Sequence, residues 1–265
     1  GLGDVYKRQI MKHYFFVLFV TFAFLASCTP AKYTVTKERS KNIPVTESIS
    51  QKTDIENFIS PYRERIKAEM STVLAENARD LVKDRKTTLL NTGISNFMAD
   101  ATFEIVSEAY KKRTGKEVDF VMLNWGGIRS DLPKGTITME SAFNLMPFEN
   151  EVIVLTMPGT KVKELADYLI QHRLPHPLSK QVSLQITKDG KITHFTINGK
   201  PFDPNKTYVV VTSDYLYNGG DEMYFFKGAL DADKIGYKLR NVLIDYFKKI
   251  DILNATEDHR FEYKP

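Results

Sequence analysis

Three short apolar runs do most to limit what this chain can become: Val118-Asp-Phe-Val-Met-Leu123, Glu151-Val-Ile-Val-Leu-Thr156 and Tyr208-Val-Val-Val-Thr212. Runs this rich in Val, Ile and Leu read as strands covered on both faces, so each needs a packing layer on either side. The material for those layers is present. Ile94, Phe97, Met98, Ala101, Ile105 and Ala109 recur at helical spacing up to Gly115. Val162, Leu165, Ala166, Leu169 and Ile170 do the same ahead of Pro175 and Pro177. Ile235, Leu239, Val242, Leu243, Tyr246 and Phe247 predict a final helix over about residues 233–248.

Between these elements, Val182, Leu184 and Ile186 alternate with polar residues up to Asp189-Gly190, and a further β-prone stretch ends at Asn198-Gly199. Such dipeptides between β-prone runs predict antiparallel hairpins. The fold class expected is therefore α+β, a mixed β-sheet with hairpins and with helices packed on the outside, not a doubly wound nucleotide fold. The segment Leu174 to Leu178 reads either as a connection or as a partner-facing loop.

The N-terminus reads as an address. Met11-Lys12-His13 precedes an apolar run from Tyr14 to Ala26, with Thr21 its one hydroxyl residue besides Tyr14, too short to span a hydrocarbon core but suited to a signal-peptide core. The run ends in Leu25-Ala26-Ser27-Cys28, which resembles the lipobox of bacterial lipoproteins and implies lipidation of Cys28, the only cysteine. The expected organisation is upstream read-through plus signal peptide over 1–27, a lipid-anchored tether or edge strand over 28–53, and a folded domain over 54–265. The expected location is the bacterial cell envelope, periplasmic or surface-exposed, with the membrane touched through the lipid anchor only.

Charge and composition exclude several functions. Lys and Arg number 37 against 33 Asp and Glu, with no block of one sign, so no concentrated basic face is available and no nucleic-acid partner is expected. One cysteine excludes an intramolecular disulfide and Cys-based metal sites, and five scattered histidines leave little for a metal centre. His172 and His176 have a metal-like spacing, but Pro175 interrupts the helix that would present them. No metal site is expected in this chain.

Loops at the ends of buried strands are where sites usually lie. The first is Asn124-Trp125-Gly126-Gly127-Ile128-Arg129-Ser130-Asp131, the second Met146-Pro147-Phe148-Glu149-Asn150, and the third Asp214-Tyr215-Leu216-Tyr217-Asn218-Gly219-Gly220-Asp221. Each alone is compatible with a tight bend. Together, Phe148 and Tyr215 can hold a flat heterocycle, Asn124 can read its polar edge, and Asp221 has two acceptor oxygens for vicinal ribose hydroxyls. Arg129 can face a phosphate or pair with Asp131.

The stretches NWGGIRSDLPKGTIT, MPFENEV and TSDYLYNGGDEMYFF, together with Pro158-Gly-Thr-Lys-Val162, resemble the C-terminal domain of bacterial and animal 5′-nucleotidases, from about Pro61 onward. The resemblance implies a substrate-binding domain in which Phe148 and Tyr215 sandwich the base, the second being usually phenylalanine in the family. It implies that Asn124 reads the base, Asp221 binds the ribose and Arg129 lies on the phosphate side, with Gly126, Gly127, Asn218, Gly219 and Gly220 completing the loops. The family uses a further arginine ahead of the first long helix, and Arg85 lies in roughly that region. Family enzymes hydrolyse phosphate esters with two divalent metal ions held in an N-terminal metallophosphoesterase domain. The Asp-x-His, Gly-Asn-His and Gly-His-x-His motifs of that domain do not occur in these residues. The chain is accordingly expected to be inactive alone. It then serves as the recognition half of a split nucleotidase with a separately encoded metallophosphoesterase, as an envelope nucleoside or nucleotide capture protein, or as a scaffold with a vestigial pocket.

Overall fold

The computed structural model describes residues 11–22, 40–50 and 52–264, which divide into two compact units, 1–53 and 54–265. In the first unit, residues 11–22 form helix α1, exposed along its length. Residues 40–50 contain a turn at 47–48 and no strand. The lipobox, with Cys28, lies outside the described residues. Among the described residues no helix is long and apolar enough to cross a membrane.

The second unit begins with α2 (Thr53–Met70), which the sequence reading did not anticipate. Its apolar residues Ile55, Phe58, Ile59, Tyr62 and Ile66 follow helical spacing yet are all exposed. Strand β1 (Val73–Asn77) follows, then α3 (Gly93–Thr114), β2 (Phe120–Val121), β3 (Gly135–Thr138), α4 (Met139–Leu145), β4 (Glu151–Pro158) and α5 (Gly159–His172). The chain continues through β5 (Val182–Ile186), β6 (Ile192–Ile197), β7 (Lys200–Pro201), β8 (Thr207–Ser213), α6 (Asp214–Tyr217), β9 (Asp231–Lys238), α7 (Leu239–Lys249), β10 (Ile252–Leu253) and β11 (Phe261–Tyr263).

The expected mixed α+β architecture takes the form of three mixed sheets, ordered β10-β1-β3, β11-β5-β6-β7 and β2-β8-β4-β9. The last is central. Along β4, Val152 and Val154 enter one core with α3, α4 and α7, while Ile153, Leu155 and Met157 enter a second core with α5 and β5. On β8, Val211 joins the first core and Tyr208 and Val210 the second. This two-residue period with both faces buried is why these strands read as unbroken apolar runs.

Helix α3 starts at a Thr92 cap that accepts from the Ser95 N–H, and stops at Gly115, whose φ of +73° is the left-handed conformation glycine adopts freely. It packs on α7, with the Phe97 and Phe247 rings stacked at 5.3 Å. Helix α5 starts hard against the 203–204 backbone: a Cβ on Gly159 would lie 2.6 Å from the Pro204 carbonyl oxygen. The Asn198-Gly199 turn joins β6 to β7 with both residues at positive φ, 52° and 70°, as a tight hairpin requires.

One prediction fails. The helix expected over 233–248 begins only at Leu239, because residues 231–238 pair antiparallel with β4 as the edge strand β9. Gly236, at φ +67°, would break a helix, and β4 offers these residues a hydrogen-bonding edge that no local pattern records. The expected strand over 118–123 is shorter in regular pairing, Phe120–Val121, and continues as a single bridge from Met122 to Leu178.

Candidate functional site

The topology of the central sheet assembles the site. Strand β2 runs parallel to β8, with Phe120 opposite Val210 and Val121 opposite Val211, so their C-terminal ends lie side by side. Strand β4 runs antiparallel to β8, with Val152 opposite Ser213, so the loop that precedes β4 meets the loop that leaves β8. All three candidate loops therefore converge at one end of the central sheet. Asp214 ties two of them together, its Oδ1 accepting from the Asn150 side chain at 3.0 Å and from the Glu151 N–H at 3.1 Å.

At the centre lies Asp221. Its Oδ2 accepts from Asn124 Nδ2 at 2.8 Å and its Oδ1 from the Tyr215 hydroxyl at 2.8 Å. A carboxylate only accepts, so this contact fixes which end of the Asn124 amide faces it. The glycines make the room. A Cβ on Gly127 would lie 2.9 Å from Asn124 Oδ1, one on Gly126 3.2 Å from Asn124 Nδ2, and one on Gly220 2.4 Å from the Tyr215 ring. Gly219 has a φ of +96°. Asn218 stands apart: it ends α6, its N–H donating to the Asp214 carbonyl at 2.9 Å.

Phe148 and Tyr215 are 39% and 43% exposed, so the site is an open surface with two accessible aromatic rings. One face of Phe148 is covered by the Arg129 guanidinium, 5.5 Å from the ring centre, and one face of Tyr215 lies on Gly220. Arg129 also donates to the Gly126 carbonyl at 3.3 Å, and the Asp131 carboxylate accepts instead from the Lys83 N–H at 2.7 Å.

Several residues that hold this geometry carry no signal in the sequence. Arg240, buried on α7, donates to the Pro147 carbonyl at 3.2 Å and to Glu149, fixing the Phe148 loop. Hydrogen bonds from Lys238 and then Arg240 hold the Glu149 carboxyl down at about 2. Lys83 lies 5.1 Å from the Trp125 ring centre and donates to the Ile128 carbonyl. Partial burial, then the charges of Arg129 and Arg85, pull its ammonium below the ordinary lysine range. Lys83 and Arg129 thus place two cations beside the Asn124 loop, with the Arg85 charge acting on Lys83. Tyr168 on α5 donates to the Asp221 carbonyl at 2.7 Å. Lys83 and Tyr168 sit in stretches that look like ordinary surface and helix.

His176 is 4% exposed, and its Nδ1 accepts from the Trp125 N–H at 3.1 Å. Residues 175–178 around it are buried, with Leu178 2% exposed, whereas Leu174 is exposed. His172 is exposed, its Nδ1 at 3.0 Å from the Tyr168 carbonyl, and both histidine rings lie against the Tyr168 ring, at 3.9 and 5.7 Å. Among the described residues no group of three His, Cys, Asp or Glu is gathered as a metal would need, and the family's metal pair finds no ligand set there. A cavity of about 450 Å³ lies away from the three loops, between α3, α7 and residues 180–181.

Residues 70–228 match the family described as 5′-nucleotidase, C-terminal domain. Protein UshA of Escherichia coli (strain K12) is 30% identical over 190 residues, covering 69% of this chain and 32% of that protein. The apyrase of Tabanus yao is 28% identical over 230 residues, covering 77% of this chain and 39% of that protein. Among solved structures, the 5′-nucleotidase precursor from Thermus thermophilus shares the fold, with a TM-score of 0.64 at 22% identity over 79% of this chain and 43% of that one. The chain spans about a third of the length of the curated relatives it matches. Since the match runs through all three loops that the central sheet brings together, this chain belongs to the 5′-nucleotidase C-terminal domain family.

Proposed function

We propose that this chain is the nucleotide-recognition half of a split 5′-nucleotidase, acting in hydrolysis of phosphoric monoesters with a separately encoded metallophosphoesterase. The observation that carries the reading is the convergence of Asn124, Asp221 and Tyr215 with the exposed Phe148 ring at one end of the central sheet. Stacking on aromatic rings contributes about 1–3 kcal/mol per base and tolerates any base. Asp221 accepts from the ribose hydroxyls, Asn124 meets a polar edge of the base, and Arg129 with Lys83 and Arg85 offers positive charge to the phosphate. Two divalent ions on the partner supply the polarisation of the phosphoryl group and the activation of water. This chain's residues contribute binding and orientation.

The anchor belongs to the same proposal. Lipidation at Cys28 would hold the domain at the bacterial envelope, and radiolabelled fatty acid should enter the wild-type chain but not Cys28→Ser. Equal labelling of the two would remove the anchor from the account.

Titration of the purified chain with adenosine and AMP tests the pocket, with Trp125, the only tryptophan, as the fluorescent reporter beside Asn124. Saturable binding is expected, with loss in Tyr215→Ala. Phosphate release from AMP in excess Mg²⁺ or Mn²⁺ is expected only when the partner is added. Turnover by the chain alone would overturn the split arrangement, and binding that no partner converts to hydrolysis would favour a capture protein.

A further inference from the structure

The pocket described above contains one group that stacking does not need: the Tyr215 hydroxyl. A phenylalanine would present the same ring. Here the hydroxyl donates to Asp221 Oδ1 at 2.8 Å while Asn124 donates to Oδ2 at 2.8 Å. Each carboxylate oxygen has two acceptor positions. The two donors together take one on each oxygen, fix the plane of the carboxylate, and leave one acceptor position per oxygen. Two acceptors of fixed spacing match the two donors of a cis-vicinal diol.

The backbone beneath the carboxylate is held as firmly. Asp221 and Glu222 are consecutive non-glycine residues in the left-handed region, at φ +50° and +59°. A conformation of that kind persists only where the surroundings over-determine it, and it concentrates at ligand clamps. The Tyr168 hydroxyl supplies that constraint by donating to the Asp221 carbonyl at 2.7 Å. Asp221 is therefore clamped at three points, at its carbonyl and at both side-chain oxygens, before any ligand arrives.

We propose that the Tyr215 hydroxyl is a positioning and specificity-determining group that pre-orients Asp221 for the cis-diol of a ribose, so that the site takes ribonucleosides and ribonucleotides in preference to sugars lacking the diol. The inference rests on the nucleotide-pocket reading. Its physical basis is preorganisation: ordering the carboxylate in the free protein removes that cost from binding, and the gain appears only for ligands that use both oxygens. Without the hydroxyl, the Asp221 side chain keeps only the Asn124 contact and must be ordered by the ligand itself.

Calorimetric titration of the full chain, wild type and Tyr215→Phe, with adenosine and 2′,3′-dideoxyadenosine tests this. The wild type is expected to favour adenosine at least tenfold. Tyr215→Phe, which keeps the stacking ring, is expected to cut that preference threefold or more, a change in ratio that general loosening of the pocket would not produce. An undiminished preference in Tyr215→Phe would overturn the positioning role, and an increased one would show that the hydroxyl competes with the ribose instead. Failure of the wild type to bind either nucleoside is a different result, which overturns the pocket reading itself and this inference with it.

Discussion

Lowering the pH from 7 to 4 is expected to remove about 3 kcal/mol of stability through a single side chain, His176. The Trp125 N–H can only donate, so Nδ1 of His176 is the unprotonated nitrogen and Nε2 carries the proton. Nε2 is buried. Burial pushes the imidazole down to about 4, with the Asp221 charge opposing, His172 acting in the same direction and a backbone hydrogen bond at Leu123 opposing. In the unfolded chain the same ring titrates near its ordinary value of 6.5. Between those values the unfolded state binds the extra proton, so the contribution is fully present above about 6.5 and is lost as pH falls toward 4.

Protonating Nδ1 also removes the acceptor that holds the Trp125 N–H, so the Asn124-Trp125 loop loosens as the domain weakens. His176→Asn separates this from general acid sensitivity, because an amide oxygen accepts the same N–H and does not titrate in this range. The variant starts less stable, having lost ring volume, but its stability measured by urea unfolding should lack the wild-type slope between pH 6.5 and 4. A variant that kept that slope would remove His176 as the cause.

Arg260→Ala is expected to cost about 2–3 kcal/mol, because it leaves the partly exposed Asp100 and Asp258 carboxylates and the buried Leu178 carbonyl without their donor. The Arg260 side chain is 5% exposed. It donates to Asp100 at 2.9 and 2.8 Å, to Asp258 at 2.8, 3.0 and 2.6 Å, and to the Leu178 carbonyl at 2.7 Å. These contacts join α3, the C-terminal segment and the connection that carries His176. For a domain of this size the loss corresponds to a fall in Tm of about 5–10 °C, measurable by scanning calorimetry. Arg260→Lys should recover less than half of it, since an ammonium cannot reproduce the planar fork that meets two carboxylates and a carbonyl together. A shift within about 2 °C for the alanine variant would show that the network contributes little.

The same connection explains why parts of the site escape a reading of the sequence. By spacing, His176 reads as half of a histidine pair, but its role behind the Trp125 loop depends on a backbone donor 51 residues away. Tyr168 lies on a helix whose apolar period explains its neighbours and not its hydroxyl, whose acceptor belongs to a loop 53 residues further on. Arg240 and Lys83 are single charges until α7 and the segment before α3 bring them against the loops. None of these contacts has a local signature, because each is made between segments that meet only when the sheet closes.

What the amino-acid order determined alone is the set of elements whose signal is repeated: the doubly buried strands β4 and β8, the helices α3 and α5, the hairpin turns with their glycines, and the three loops rich in glycine, aromatic and polar residues. Periodicity over many residues, or a backbone conformation open mainly to glycine, leaves little choice of local structure. The tertiary structure decided the rest. Residues 231–238 carry apolar spacing that also suits a helix, and only the open edge of β4 makes them a strand. The short strands β1, β3, β10 and β11 exist through their partners, since two to five residues cannot hold a strand conformation without a ladder. The parallel pairing of β2 with β8 is likewise what sets Asn124 beside Asp221, 97 residues apart in the chain. Local propensities can nominate the residues of a site, but its geometry is a sum of long-range hydrogen bonds and packed faces that no single segment encodes.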